Sequence, residues 1–105
     1  MTAITVRQAI IRLRRFYKKS HGYSPRQING GSCDEFAQNL LAIFPKGDMM
    51  WGEEVMDKFT TDVCPQGHCF FSLNGLYYDS ETLTGVKSPD YLPFYQRAKA
   101  RNYCI

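Results

Sequence analysis

An α+β domain, with helices packed on a small antiparallel sheet, is what this sequence predicts, and three observations carry the expectation. Two stretches, about 5–19 and 33–44, repeat apolar residues every three or four positions, the spacing that lines one face of a helix. His68-Cys69-Phe70-Phe71-Ser72-Leu73 is joined through Asn74-Gly75 to Leu76-Tyr77-Tyr78-Asp79-Ser80-Glu81, a strong signal for a two-residue hairpin. The chain has 105 residues, 44% of them hydrophobic, enough for one core and too few for two, so residues 1–105 are read as a single domain.

The first helix is expected from about Thr5 to Lys19. Val6, Ile10, Leu13 and Tyr17, with Ala9 and Phe16, recur on one side, and Thr5 with Gln8 can form a capping box. Residues 1–31 hold seven basic residues (Arg7, Arg12, Arg14, Arg15, Lys18, Lys19, Arg26) and no acid, whereas residues 32–105 hold six basic and ten acidic, a balance of +7 against −4. Arg12, Arg14, Arg15, Lys18 and Lys19 then form the helix's wet face, either simply solvated or holding an acidic partner protein. No RNA- or DNA-binding motif accompanies them, which disfavours nucleic acid. His21 follows as a loop residue.

The second helix begins at Cys33. Ser32 and Glu35 stand at capping-box spacing, which makes Cys33 the first helical residue, beside unpaired N–H groups and the positive end of the dipole. That environment favours thiolate over thiol. Gly30 and Gly31 allow a tight entry turn and close approach of a substrate backbone. Phe36, Leu40, Ile43 and Phe44, with Ala37 and Leu41, make the helix amphipathic until Pro45-Lys46-Gly47.

Beyond it, Asp48 is expected to cap a short helix through Met49, Met50, Trp51, Val55, Met56 and Phe59, with residues 60–67 as a loop. In the hairpin at 68–81, a turn at Asn74-Gly75 sets Leu73 opposite Leu76, Ser72 opposite Tyr77, Phe70 opposite Asp79 and His68 opposite Glu81. His68 and Asp79 then lie diagonally on one face, about 7–8 Å apart at the backbone, within reach of an imidazole–carboxylate hydrogen bond. Glu81, directly across, is the alternative orienting acid. Gly85-Val86 suggests a further short strand, and Tyr91, Phe94, Tyr95 and Ala98 a helix from Asp90 to about Arg101.

Cys33, Cys64, Cys69 and Cys104 are read as reduced thiols, since the start Met1-Thr2-Ala3-Ile4-Thr5-Val6-Arg7 lacks a basic leader and apolar run. No transmembrane stretch is present, so a cytoplasmic protein without membrane partners is expected, of a style that suits a bacterium or phage. A zinc site would need paired ligands from two knuckles, and Cys64, His68 and Cys69 form only one cluster; no metal or cofactor is expected. Cys69 falls on the hairpin face opposite His68 and is read as a small packed hydrophobe.

Gly31-Ser32-Cys33-Asp34-Glu35-Phe36-Ala37, followed by His68-Cys69-Phe70 and Tyr78-Asp79, resembles the papain-like superfamily in its transglutaminase-like and NlpC/P60-like branches. The likeness covers about residues 27–86. It implies a papain-like arrangement with the nucleophile at a helix N-terminus and a Cys33-His68-Asp79 catalytic triad. Gln27, six positions before Cys33 and followed by the same Gly-Ser-Cys ending, is by that likeness an oxyanion donor, with the backbone N–H of Cys33 as the second. The implied activity is a cysteine-dependent amide hydrolase or acyl transferase, whether protease, glutamine deamidase or transglutaminase, acting through a thioester on a protein or peptide. The alternative is an inactive papain-like scaffold serving as a binding or inhibitor module through its basic helix.

Overall fold

The structure, a computed structural model, describes residues 3–61, 63–64 and 67–101. Its order is α1 (Val6–His21), α2 (Pro25–Gly31), α3 (Cys33–Ile43), β1 (Asp48–Trp51), β2 (Cys69–Leu73), β3 (Leu76–Tyr78) and α4 (Pro93–Ala100), with short 3-10 turns at Gly52–Glu54, Met56–Lys58 and Pro89–Tyr91. The three strands form an antiparallel sheet in the order β1-β2-β3. Thus the α+β class, helices on a small antiparallel sheet, is what the chain adopts.

The sheet is covered on both faces. Cys69 and Phe71 of β2 and Tyr78 of β3 pack with Ala9, Ile10 and Tyr17 of α1 and Phe36, Ala37 and Leu40 of α3. On the other face Phe70 and Tyr77 meet Leu92, the N-cap of α4, and Tyr95 within that helix. The large apolar ones, Ile10, Phe36, Leu40, Phe70, Phe71 and Leu92, each contribute on the order of 1.5–3 kcal/mol on leaving water. The Thr5–Gln8 capping box forms at α1, and the exposed part of that helix is wider than expected, since Phe16 is 55% exposed.

The hairpin keeps the expected register: Leu73 faces Leu76, Ser72 faces Tyr77 and Phe71 faces Tyr78. Asn74 and Gly75 take φ of 54° and 79°, the left-handed pair that a type I′ turn requires. The strands are shorter than the expected 68–81. β3 stops at Tyr78, and residues Asp79 to Thr82 turn away, the Thr82 N–H bonding the Asp79 carbonyl at 3.2 Å. Val86 joins Tyr77 through an isolated bridge, so the strand expected at Gly85-Val86 is reduced to one pair.

Three local expectations are corrected. The helix expected after Asp48 is strand β1, which pairs Met49 with Phe71, Met50 with Phe70 and Trp51 with Cys69. Three consecutive apolar residues suit a strand buried on both faces: Met49 and Trp51 pack on the α1/α3 side and Met50 on the α4 side. The C-terminal helix begins at Pro93 rather than Asp90, because Pro93 disfavours helical geometry at Leu92. Gly30 and Gly31 do not make a tight turn; they close α2, a helix not foreseen, which starts with a Ser24–Gln27 capping box and Pro25 in its first turn.

Two glycines differ in consequence. At Gly47 an added Cβ would collide with the Phe71 ring and the Ser72 carbonyl, so only glycine lets the chain pass close to β2 there. At Gly30 a Cβ would meet nothing within 4 Å. Gly30→Ala should therefore raise stability by about 0.5–1 kcal/mol, as a helical glycine replaced without strain does, read as a higher denaturant midpoint at constant slope.

Asp90 ties the Pro89–Tyr91 turn to Thr60 and Thr61. Its carboxylate accepts bonds from the Thr60 N–H at 3.0 Å, the Thr60 and Thr61 hydroxyls at 2.9 and 2.8 Å, and the Ser88 hydroxyl at 2.6 Å. Burial alone would raise its pKa; these four donors outweigh it and bring the value from 3.8 down to about 2. A depressed pKa contributes stability above the unfolded value, lost as pH falls through the folded one. The protein should lose on the order of 2 kcal/mol between pH 4 and 2 through this group, and Asp90→Asn should remove that part of the acid dependence in denaturant titrations.

Candidate active site

Cys33 is the first residue of α3 and follows directly on Ser32, which closes α2. The Ser32–Glu35 capping box does not form: Ser32 makes no side-chain cap bond and has φ −127°, ψ 22°. Its own N–H is already bonded to the Ile28 carbonyl at 2.7 Å, and the Glu35 carboxylate accepts the Tyr17 hydroxyl instead. What fixes Cys33 is packing, since it is only 8% exposed at the edge of the α1/α3 core.

A backbone donor reaches its sulfur. The Cys69 N–H lies 3.4 Å from Cys33 Sγ. The His68 carbonyl and the Cys69 N–H belong to one trans peptide and point opposite ways; the carbonyl accepts the Gly52 N–H on the β1 side at 3.1 Å, so the N–H faces β3. Because β3 has ended at Tyr78, that amide has no strand partner, and the sulfur takes the place of one.

His68 is fully buried and its Nε2 lies 2.9 Å from Asp79 Oδ2. The ring stacks on Phe94, centroids 4.3 Å apart and 14° from parallel, with Tyr95 edge-on at 5.6 Å. Nδ1 is left without a hydrogen-bond partner, and the Cys33 thiol is near enough to act on the imidazole together with Asp79. Burial opposes the imidazolium, but the bonds and charges of Asp79 and Cys33 outweigh it, so the His68 pKa is raised.

Asp79 is itself fully engaged. Its Oδ1 accepts the Glu81 N–H at 2.9 Å and the Thr82 hydroxyl at 3.0 Å, which leaves Oδ2 for His68. The turn that carries it is held by three helices. Arg14 Nε of α1 donates to the Ser80 carbonyl, and the Ser80 hydroxyl donates to the Pro25 carbonyl of α2 at 2.6 Å. Arg97 of α4 grips Glu81 with two bonds of 2.8 Å, and Asn29 Nδ2 of α2 adds a third of 2.8 Å. Burial pushes the Glu81 carboxyl up, but the Arg97 fork and the Asn29 amide hold it below its ordinary value.

The structure thus gathers Cys33, His68 and Asp79, with the Cys69 N–H on the Cys33 sulfur and His68 on Asp79, and gives Glu81 another partner. Glu81 is not the cross-strand neighbour of His68, because the turn at Asp79 lifts it out of the strand and gives it to Arg97. Gln27 is exposed, with its amide oxygen on the Ser24 N–H at 2.8 Å, so only its amide N–H group remains to offer. Arg12, Arg15, Lys18 and Lys19 are exposed on α1 as expected. Arg14 is not part of that face: it is half-buried and reaches the Ser80 carbonyl. It lies four residues after Ile10 and three before Tyr17, both buried, so its position beside the apolar stripe was the one sequence signal for its role.

Cys69 is buried, 1% exposed on the α1/α3 face, and burial raises its pKa to about 12. Cys64 is disulfide-bonded, a correction to the expectation of reduced thiols; Cys104 lies outside the described residues. His21, expected in a loop, is instead the last residue of α1, which runs on to the left-handed Gly22 cap, and it stacks on Tyr23 at 5.2 Å. Among the described residues no group of His, Cys, Asp and Glu could hold a metal ion, and no helix is long and apolar enough to cross a membrane. Compared with known proteins, the chain matches no family model, and neither a curated protein nor a solved structure is significantly similar to it.

Proposed function

We propose that the protein is a cysteine-dependent amide hydrolase or acyl transferase of papain-like type, with Cys33 as nucleophile, His68 as acid and base, and Asp79 as the group that orients His68. The observation that carries the reading is the meeting of Cys33, His68 and Asp79 from three separate elements, the last two 2.9 Å apart in a buried site. A cysteine at a helix start, a following histidine at a strand edge and an acid after the next strand also repeat the order of that superfamily.

In this mechanism the His68 imidazolium holds its Nε2 proton toward Asp79 and its Nδ1 proton toward the Cys33 sulfur. The thiolate forms a bond to an amide carbonyl carbon, and the oxyanion is met by the Cys33 backbone N–H, with the Gln27 amide as second candidate. The C–N bond then breaks as Nδ1 gives its proton to the leaving nitrogen, producing a thioester. Water, losing a proton to Nδ1, cleaves the thioester and restores the thiolate beside the imidazolium, giving proteolysis or glutamine deamidation. An amine in place of water gives transamidation.

The test is alkylation of Cys33 by iodoacetamide across pH, followed site by site by mass spectrometry. Cys69, buried and with its pKa near 12, is an internal control. At pH 6 Cys33 should react far faster than Cys69, and His68→Ala should abolish the advantage. A Cys33 that is inert at pH 6, or indifferent to His68, overturns the reading.

A second reading rests on Phe16. This aromatic is 55% exposed amid Arg12, Arg15 and Lys19, its neighbours one helical turn or one residue away, and an exposed ring within a basic face is a typical anchor for a partner. The scaffold would then be an inactive binding or inhibitor module for an acidic protein. Arg12→Glu with Arg15→Glu should abolish such binding while Cys33→Ala leaves it intact; Arg14 is unsuitable for this test because it holds the Asp79 turn.

A further inference from the structure

A cavity of about 300 Å³ opens beside the Phe94 ring, lined by Arg26, Gly30, Phe94, Arg97, Ala98 and Arg101. Among the described residues three arginines and no acid line it. Arg97 is paired with Glu81, whereas no ion pair joins Arg26 or Arg101 to a carboxylate among the described residues. Phe94 is the shared wall: one side of its ring stacks on His68 and the ring also lines the cavity. Gly30, three residues before Cys33, offers no side chain, and a Cβ there would meet open space.

From this juxtaposition we propose that the cavity is the substrate-selecting subsite, and that it takes a carboxylate carried by a peptide next to the amide that Cys33 attacks. The planar forks of Arg26 and Arg101 match a carboxylate, which accepts parallel N–H bonds from a guanidinium. The apolar wall of Phe94 takes the methylene stem that brings the acid in, and it lowers the local polarity in which the pairing occurs. Phe94 also links occupancy to chemistry, because a ligand pressed on one side of the ring meets His68 through the other. The inference rests on the thiol-enzyme reading above and names the kind of substrate that enzyme would choose.

Two matched affinity reagents test it, bromoacetyl-glutamyl amide and bromoacetyl-glutaminyl amide, which differ only in the charge of the side chain. With either, the Cys33 sulfur displaces bromide and a C–S bond replaces the C–Br bond. The acidic reagent should label Cys33 about five- to tenfold faster than the amide at low salt, the yield of roughly one well-placed ion pair. The ratio should fall toward one in the double variant Arg26→Gln, Arg101→Gln, and in Gly30→Glu, which sets an acid in the cavity. It should also fall as salt rises. Inorganic phosphate at millimolar concentration should leave the ratio unchanged if the site prefers a peptide carboxylate; suppression of the preference by phosphate overturns the assignment to a carboxylate. Equal labelling by the two reagents, or a preference that survives the arginine substitutions, overturns the subsite while the enzyme reading stands. Failure of both reagents to label Cys33 while free thiol remains overturns the enzyme reading itself.

Discussion

Asp79→Asn should slow alkylation of Cys33 at pH 6 by between about 10- and 100-fold, with little loss of fold. The size follows from thiol chemistry: an ordinary thiol, pKa about 8.5, is only ~0.3% thiolate at pH 6, while the lower intrinsic nucleophilicity of a stabilised thiolate takes back part of that difference. The direction follows from the hydrogen bonds. Asp79 Oδ1 accepts from the Glu81 N–H and the Thr82 hydroxyl, and Oδ2 faces His68 Nε2. An asparagine whose oxygen keeps the first two donors turns its NH2 group on Nε2. The imidazole must then carry its proton on Nδ1 in the neutral form, and cannot accept one from the sulfur. If the amide flips to satisfy His68, two buried donors lose their acceptor, at about 1–3 kcal/mol. Thermal unfolding monitored beside the alkylation rate separates these outcomes, and a variant with normal unfolding and normal Cys33 reactivity would remove Asp79 from the mechanism.

The largest effect on stability is expected at Glu81, the acid that sequence spacing offered as an alternative to Asp79. Glu81→Ala leaves the Arg97 guanidinium and the Asn29 amide without their shared acceptor in a partly buried setting, where the Glu81 and Arg97 side chains are 15% and 27% exposed. Stranding one partner of such a pair costs more than the pair itself contributes, and about 2 kcal/mol is expected after allowing for partial exposure. For a domain of this size that corresponds to a fall in Tm of roughly 10 °C. Because Glu81 sits two residues from Asp79 in the same turn, the variant should also lose part of the Cys33 reactivity at pH 6. Arg97→Leu added to Glu81→Ala should recover some of the Tm, since the stranded cation is gone. If the single variant unfolds like the wild type, the clamp on the turn is not a source of stability.

The two predictions also separate what could be read along the chain from what could not. The hairpin register was legible because it is local: Asn74-Gly75 fixes the turn, and every pairing outward follows by counting. Helices α1 and α3 were legible from periodicity, and the α1 cap from Thr5 and Gln8. Helix α2 was missed because its glycines suggested a turn, although Ser24, Pro25 and Gln27 carried a cap signal; β1 was missed because three adjacent apolar residues have no period of their own. The Ser32–Glu35 box failed because Tyr17, 18 residues before Glu35, competes for the carboxylate.

By itself the sequence determined the types of residue at the site and the order in which they occur, together with the turn that sets His68 and Asp79 on one face. Tertiary structure alone decided that they meet Cys33. The end of β3 at Tyr78 frees the Cys69 N–H for the sulfur, and α1, α2 and α4 clamp the turn that presents Asp79. The cavity beside Phe94 is likewise invisible in the chain, since Arg26, Arg97 and Arg101 come together only when α2 and α4 pack across the site. Local conformational preferences act within a few residues and can be read in order. The hydrogen bonds that place the Asp79 turn span up to 66 residues, and which donor reaches which acceptor is settled only once the core has set the helices around the sheet.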